Sequence, residues 1–183
     1  HLLEGDRGRI TAGMVESVIK PDDIHAPVSR FVGVENTMNK GGGAIYDFEE
    51  FKRIRKVCDK NNLHFHLDGA RLFNALVETP ESPEDYGKIF DTISICFSKG
   101  LGAPVGSVLL SSRELNKKAK RVRKVFGGGM RQAGILAAAC DHALDHHVDR
   151  LKEDHARART IGKICERLPF IENVFPVDTN IVI

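Results

Sequence analysis

The run Thr92-Ile93-Ser94-Ile95-Cys96-Phe97, cut off by Ser98-Lys99-Gly100-Leu101-Gly102-Ala103-Pro104, constrains this chain more than any other feature. A short apolar run bounded by Gly and Pro suits a strand rather than a core helix. Its near-continuous apolar character predicts a strand buried on both faces, the kind found in parallel sheets. The neighbouring segments fit that setting. Arg30 to Val34 and Leu63 to Leu67 read as short strands, and Ser107 to Leu110 as another. Between the first two, Asp47 precedes Phe48, Phe51, Ile54, Val57 and Cys58 at helical spacing, with Asn61-Asn62 as the stop. Strands alternating with helices predict an α/β fold, a three-layer α/β/α domain with a mostly parallel sheet.

The remaining segments are assigned by the same rules. Leu2 to Ile10 reads as a loop, and Thr11 caps a short helix ending before Pro21-Asp22-Asp23. Leu72 to Val77 is a helix after a turn at Gly69, and Thr79 to Gly87, with two prolines, reads as loop. Glu114 to Val125 is a basic helix broken by Gly127-Gly128-Gly129. Helices then follow over Arg131 to His147 and Asp149 to Leu168. Asn180 to Ile183 reads as the middle of a strand, and His1 opens on a loop-like stretch. Both ends look cut, so residues 1–183 are expected to be part of a longer protein.

Composition excludes several classes. Hydrophobic residues make up 42% and charged residues 28%, which is ordinary for a globular chain. Lys and Arg number 27 against 25 Asp and Glu, a net charge of +2 that gives no electrostatic case for nucleic acid or an anionic membrane. No run approaches a bilayer span, and no signal-peptide pattern opens the chain. Cys58, Cys96, Cys140 and Cys165 are scattered without zinc spacing, and are read as reduced, mostly core thiols of an intracellular protein.

In open α/β sheets, ligands sit beyond the carboxyl ends of the strands. Glu35-Asn36, Asp68 and Ser98-Lys99 all fall there. A lysine at such an edge is partly desolvated, and desolvation favours the neutral amine that Schiff-base formation needs. The commoner role for a loop lysine is simple exposure; the apolar strand and Gly-rich turn around Lys99 bring the two readings level. Asp68 suits either a helix cap or a partner for a cationic ring nitrogen. Arg71, in the first turn of the next helix, suits a bidentate carboxylate contact or an ordinary surface position. His64, His66 and Asp68 alternate onto one strand face, but no further ligand pattern supports a metal site, and His66 is better read as a hydrogen-bonded core residue. The histidines from His142 to His147 are read as a solvated helix face. Gly127-Gly128-Gly129-Met130-Arg131-Gln132 is expected to open a helix whose N–H groups, with Arg131, favour a phosphate. Lys117 to Lys124 is densely basic; a solvated face is the commoner outcome for such a run, and Lys124 lies nearest the glycines.

Several runs together resemble the low-specificity L-threonine aldolases, a family of fold-type I pyridoxal-phosphate enzymes. They are Pro21-Asp22-Asp23-Ile24-His25, Glu35-Asn36-Thr37, His66 through Ala75, Ser98 through Ser107, Arg123-Lys124 with Gly127 through Gln132, and Leu151 through His155. The resemblance implies that residues 1–183 are the large, cofactor-binding domain, truncated at both ends. The phosphate loop and ring-stacking histidine would precede it, and a small domain would follow. It implies that Lys99 carries pyridoxal phosphate as a Schiff base and that Asp68 pairs with the ring nitrogen. Arg71 would contact the substrate carboxylate, His25 would lie near the substrate hydroxyl, with His25 or a water as the base, and Lys124 and Arg131 would line the cofactor site. Met38 stands where the family usually has histidine. The implied reaction is cleavage of L-threonine or L-allo-threonine to glycine and an aldehyde, by a cytoplasmic homodimer or homotetramer. The alternatives are a related β-eliminating lyase or aminotransferase with the same lysine, and a non-enzymatic polyanion-binding module built on Lys117 to Lys124.

Overall fold

The computed structural model describes residues 1–183. In chain order the elements are α1 (Ala12–Val18), β1 (Phe31–Glu35), α2 (Phe48–Lys60), β2 (His64–Gly69), α3 (Leu72–Leu76), α4 (Pro83–Ile89), β3 (Thr92–Cys96), β4 (Ser107–Ser111), α5 (Arg113–Val125), α6 (Gly134–His146) and α7 (Leu151–Cys165). The four strands form one sheet in the order β1-β2-β3-β4. The first two pairings are parallel and β3 with β4 is antiparallel. This is the α/β class with a mostly parallel sheet that the segment pattern predicts. No helix is long and apolar enough to cross a membrane.

Local chemistry explains the first crossover. The Asp47 carboxylate accepts the Glu49 N–H at 3.0 Å, capping α2. Glu49 and Glu50 in its first turn and Lys60 in its last match the helix dipole. Phe51, Ile54 and Cys58 repeat at helical spacing and are completely buried against Phe65 and Leu67 of β2. Phe51 is the hub. Its ring stacks on Tyr46 at 4.6 Å and meets Phe90 edge-on at 5.1 Å, with Phe65 and Tyr86 close by. Burial pushes the Tyr46 hydroxyl up to about 12, and that hydroxyl accepts the Ile10 N–H at 2.7 Å.

Several expectations are corrected. β3 is not buried on both faces: Ile93 and Ile95 are buried while Thr92, Ser94 and Cys96 are half-buried, so its burial alternates. The stretch read as loop after Thr79 contains α4. Ser82 and Asp85 form a capping box with Pro83 in the first turn, and Tyr86 and Phe90 dock into the aromatic core. The strand expected at Asn180 to Ile183 joins no sheet; this segment lies beside Gly43, whose carbonyl accepts the Thr179 hydroxyl at 2.9 Å. Of the four free cysteines only Cys58 is buried, so the thiols are not mostly core.

Asp91 ties the crossover to the sheet. It accepts the Phe65 N–H at 2.7 Å and pairs with Arg55 at 2.9 Å. Partial burial alone would raise its carboxyl, but the Phe65 and Arg55 bonds outweigh that and hold it below the usual value. A lowered folded-state pKa adds stability above the unfolded value, about 3.9, which is lost as pH falls through the folded value. Replacing Asp91 by Asn is therefore expected to flatten the acid limb of a stability-against-pH curve below about pH 4, read by urea denaturation. Phe51→Ala, which empties the aromatic hub, is expected to cost about 3–5 kcal/mol in the same measurement.

Candidate active site at the carboxyl edge of the sheet

Parallel pairing brings the carboxyl ends of β1, β2 and β3 to one edge. Glu35 stands opposite Asp68, and Asp68 opposite Ser94. Their neighbours Val34, Leu67, Ile93 and Ile95 point into the core, so the polar row lies on the opposite sheet face. That face is open: Asp68 is exposed and Phe31 and Leu109 are 66% and 41% exposed. Asp68 Oδ1 accepts the Ala70 N–H at 3.0 Å and the Ser94 hydroxyl at 3.5 Å, while Oδ2 has no partner in the chain. Asp68 thus shapes its own turn and still offers an acceptor outward. Ser94, half-buried in β3, is the member that sequence reasoning missed; its alternation with Ile93 and Ile95 is the signal that marks it.

Lys99 leaves β3 in a pinned loop. Phe97 donates its N–H to Gly106 O at 3.0 Å and accepts from Ala103 N at 3.0 Å, and Gly102 donates to Lys99 O at 2.9 Å. Gly102 closes that turn at φ +73, a conformation costly for any residue with a Cβ. Leu101 and Ala103 are buried and anchor the loop. The Lys99 side chain is exposed, not partly desolvated as its position suggested.

The other expected residues are distributed differently. Arg71 is half-buried at the N-cap position of α3, at the same edge as Asp68. His25 is not drawn to the edge. Its ring is 84% exposed in a turn held by Asp23, which accepts from both its backbone N–H and its Nδ1. Those two bonds hold the Asp23 carboxyl below its usual value. The glycine turn closes α5 instead of opening α6: Gly127 and Gly128 donate to the carbonyls of Lys124 and Arg123, and α6 begins only at Gly134. The Gly127 and Gly128 amides are therefore used in closing α5, so the turn is not the start of α6 that the sequence pattern suggested. Lys124 lays its stem across Gly129, and Arg131 is exposed. α5 has no buried residue, as a solvated basic face requires. His66 is half-buried and bonded to Thr92 Oγ1 at 2.7 Å, and His64 lies 3.7 Å from Asp91, so neither joins Asp68 around a common point. The His142 and His146 rings lie 4.4 Å apart and tilted on the exposed side of α6, whereas His147 turns inward. A groove of about 740 Å³ along β1 reaches Glu35, His66 and Asp68 but touches none of Lys99, Arg71, His25, Lys124 or Arg131.

Comparison with known proteins identifies the family and the fold. The family profile described as beta-eliminating lyase matches residues 1–183. A low-specificity L-threonine aldolase of Candida albicans is 42% identical over 160 residues, 87% of this chain and 42% of that protein. The low specificity L-threonine aldolase of Escherichia coli K12 is 44% identical over 151 residues, 82% of this chain and 44% of its own length. The solved threonine aldolase of Leishmania major superposes with a TM-score of 0.77 at 21% identity, over 97% of this chain and 52% of that one, which speaks to the fold. The chain thus spans less than half the length of these curated relatives.

Gly69 is the backbone condition for the Asp68 turn. A Cβ there would lie 2.8 Å from Ser94 O, a main-chain atom of β3 that cannot move alone. Gly69→Ala is expected to destabilise the protein by about 1–3 kcal/mol, as overpacking does, measured by chemical denaturation.

Proposed function

The chain belongs to the beta-eliminating lyase family, and on that premise we propose that it forms the lysine-bearing part of a pyridoxal-phosphate enzyme. The proposed reaction is cleavage of L-threonine and L-allo-threonine to glycine and acetaldehyde. The observation that carries this reading is the placement of Asp68 and Lys99 at the carboxyl ends of adjacent strands, β2 and β3. The donor set fits the cofactor: a free primary amine on Lys99 for an aldehyde, and an open Asp68 Oδ2 for a protonated ring nitrogen. When bound, pyridoxal phosphate supplies an electron sink for the pair released when the substrate's Cα–Cβ bond breaks.

The chain's own residues then divide the work. Lys99 would hold the cofactor through its primary amine. Asp68, oriented by Ala70 N–H and Ser94 Oγ–H, would offer its open Oδ2 to a protonated ring nitrogen. Arg71, at the same edge, pairs with the substrate carboxylate, for which its planar guanidinium is suited. His25 serves the substrate hydroxyl, and Lys124 and Arg131 line the cofactor site. These three need the order that the intact assembly provides, since each is exposed in this chain. In this reading residues 1–183 belong to the large domain, and the assembly is a homodimer or homotetramer. Val125, Phe126, Met130 and Ile135, between 65% and 85% exposed, are the apolar surface that favours association. Four free thiols favour a cytoplasmic setting.

The family description supports a second reading, β-elimination at the same lysine, which would yield ammonia and a keto acid instead of glycine and an aldehyde. Product analysis of the intact protein with L-threonine separates the two. Borohydride reduction in the presence of pyridoxal phosphate, followed by peptide mapping, is expected to label Lys99. Lys99→Ala is expected to abolish both label and cleavage, and cleavage at the unmodified rate in that variant would remove the proposal.

A further inference from the structure

Beneath the lysine loop lies a buried polar relay that the proposed chemistry does not use. His155, on α7, has a fully buried side chain. Its Nδ1–H donates to Glu78 Oε1 at 2.5 Å, and its Nε2 accepts from Asn74 Nδ2 at 2.9 Å. A single ring proton, on Nδ1, satisfies both partners. The same Glu78 oxygen also accepts from Arg159 at 2.9 Å. Burial by itself would raise the Glu78 carboxyl, but the bonds from His155 and Arg159 prevail and hold it below the usual value. One end of the relay is therefore anchored on a paired carboxylate.

The other end meets the loop. Asn74, in α3, is 3% exposed and lies under Gly100, the residue after Lys99. A Cβ on Gly100 would stand 3.7 Å from Asn74 Oδ1 and 2.9 Å from Leu151 Cδ2. Leu151 lies one helical turn before His155, so one face of α7 supplies both contacts. A further histidine, His147 in the link between α6 and α7, donates its Nδ1–H to Leu101 O at 2.6 Å. The turn Lys99-Gly100-Leu101 is bonded from below by the His147 imidazole and lies over Leu151 and the Asn74 amide, groups placed by α3, α7 and the link before α7. Apolar residues would fill the seam between α3 and α7 without the cost of burying an imidazole and an amide. What the polar relay adds is direction, since the Asn74 amide can sit in only one orientation while His155 is bonded to Glu78.

We propose that Glu78, His155 and Asn74 form a positioning relay for Lys99, fixing the Lys99–Gly100 turn and hence where the lysine amine is delivered along the carboxyl edge. The functional half rests on the reading of Lys99 as the cofactor lysine; the loop-holding half does not. The test uses the intact protein with His155→Phe, His155→Gln and Glu78→Ala. It reads amide hydrogen exchange across residues 97–106, with and without pyridoxal phosphate, and the pH midpoint of the bound cofactor's visible absorption. His155→Phe is expected to speed exchange in 97–106 by ~tenfold or more, because a buried group left without its partner costs about 1–3 kcal/mol. Exchange in α2 should stay as it was. The absorption midpoint should move, and His155→Gln, whose amide supplies one donor and one acceptor, should return both readouts toward the unmodified protein. Unchanged exchange in 97–106, or equal acceleration in α2, overturns the relay. Should His155→Phe not fold, Glu78→Ala, whose side chain is partly exposed, carries the same test with the same overturning result. If the loop responds but borohydride leaves Lys99 unlabelled in the unmodified protein, the loop-holding role stands and the cofactor reading falls.

Discussion

The register Val34↔Leu67↔Ile93 across three parallel strands sets almost everything else in this molecule. Side chains alternate along a strand, so a slip of one residue would move Phe65 and Leu67 to the open face and carry Asp68 into the aromatic core. The packing of Phe51, Ile54 and Cys58 on Phe65 and Leu67 makes that slip prohibitive. Because the strands are parallel, the same register brings their carboxyl ends level. Glu35, Asp68 and Ser94 then form one row, with Lys99 just past the end of the third strand. The core thus places the polar row without touching it.

Legibility in the sequence follows from how locally each feature is determined. α2 could be read because its cap, its charges and its apolar period all lie within its own residues. The placement of Asp68 and Lys99 at the carboxyl edge could be read because each is tied to a strand end. α4 was missed although Ser82-Pro83-Glu84-Asp85 is a helix-start signature, since two prolines nearby carried more weight as breakers than as a first turn. β3 was misread for a different reason. Thr92, Ser94 and Cys96 are small enough to look apolar in a short run, and only the neighbouring strands reveal that they share an open face. The glycine turn before Arg131 shows a third kind of failure. Gly-rich segments close helices as readily as they open them, and the choice here is made by hydrogen bonds to Arg123 and Lys124.

Residues that depend on distant packing were the least legible. His25, Lys124 and Arg131 lie on segments whose own patterns encode no buried face, and each is exposed in this chain. His155 shows the converse. Its sequence surroundings, Lys152-Glu153-Asp154 before and Arg157 after, are those of a solvated helix, yet its ring is fully buried. Leu151, His155, Ala158 and Gly162 form the inward stripe, and charged residues dominate the rest of α7. A polar member of an inward stripe is visible only once the partner across the seam, Asn74, is known.

These two kinds of polar placement carry opposite physical demands. A carboxylate with all its acceptors spent within the chain could bind nothing further; Asp68 is exposed and its Oδ2 is left open. Lys99 needs a rigid base beneath a free tip, because a long flexible side chain gains orientation only from the backbone that bears it. The loop meets that demand with buried Leu101 and Ala103, with Gly102 in a turn few residues could adopt, and with Asn74 and His147 bonded or packed against it from below. Rigidity in such a loop cannot come from its sequence alone, for glycines lower the intrinsic stiffness of a chain. It has to be imposed by neighbours with fixed geometry, and a hydrogen-bonded amide and imidazole fix geometry where aliphatic contacts would leave it free to slide.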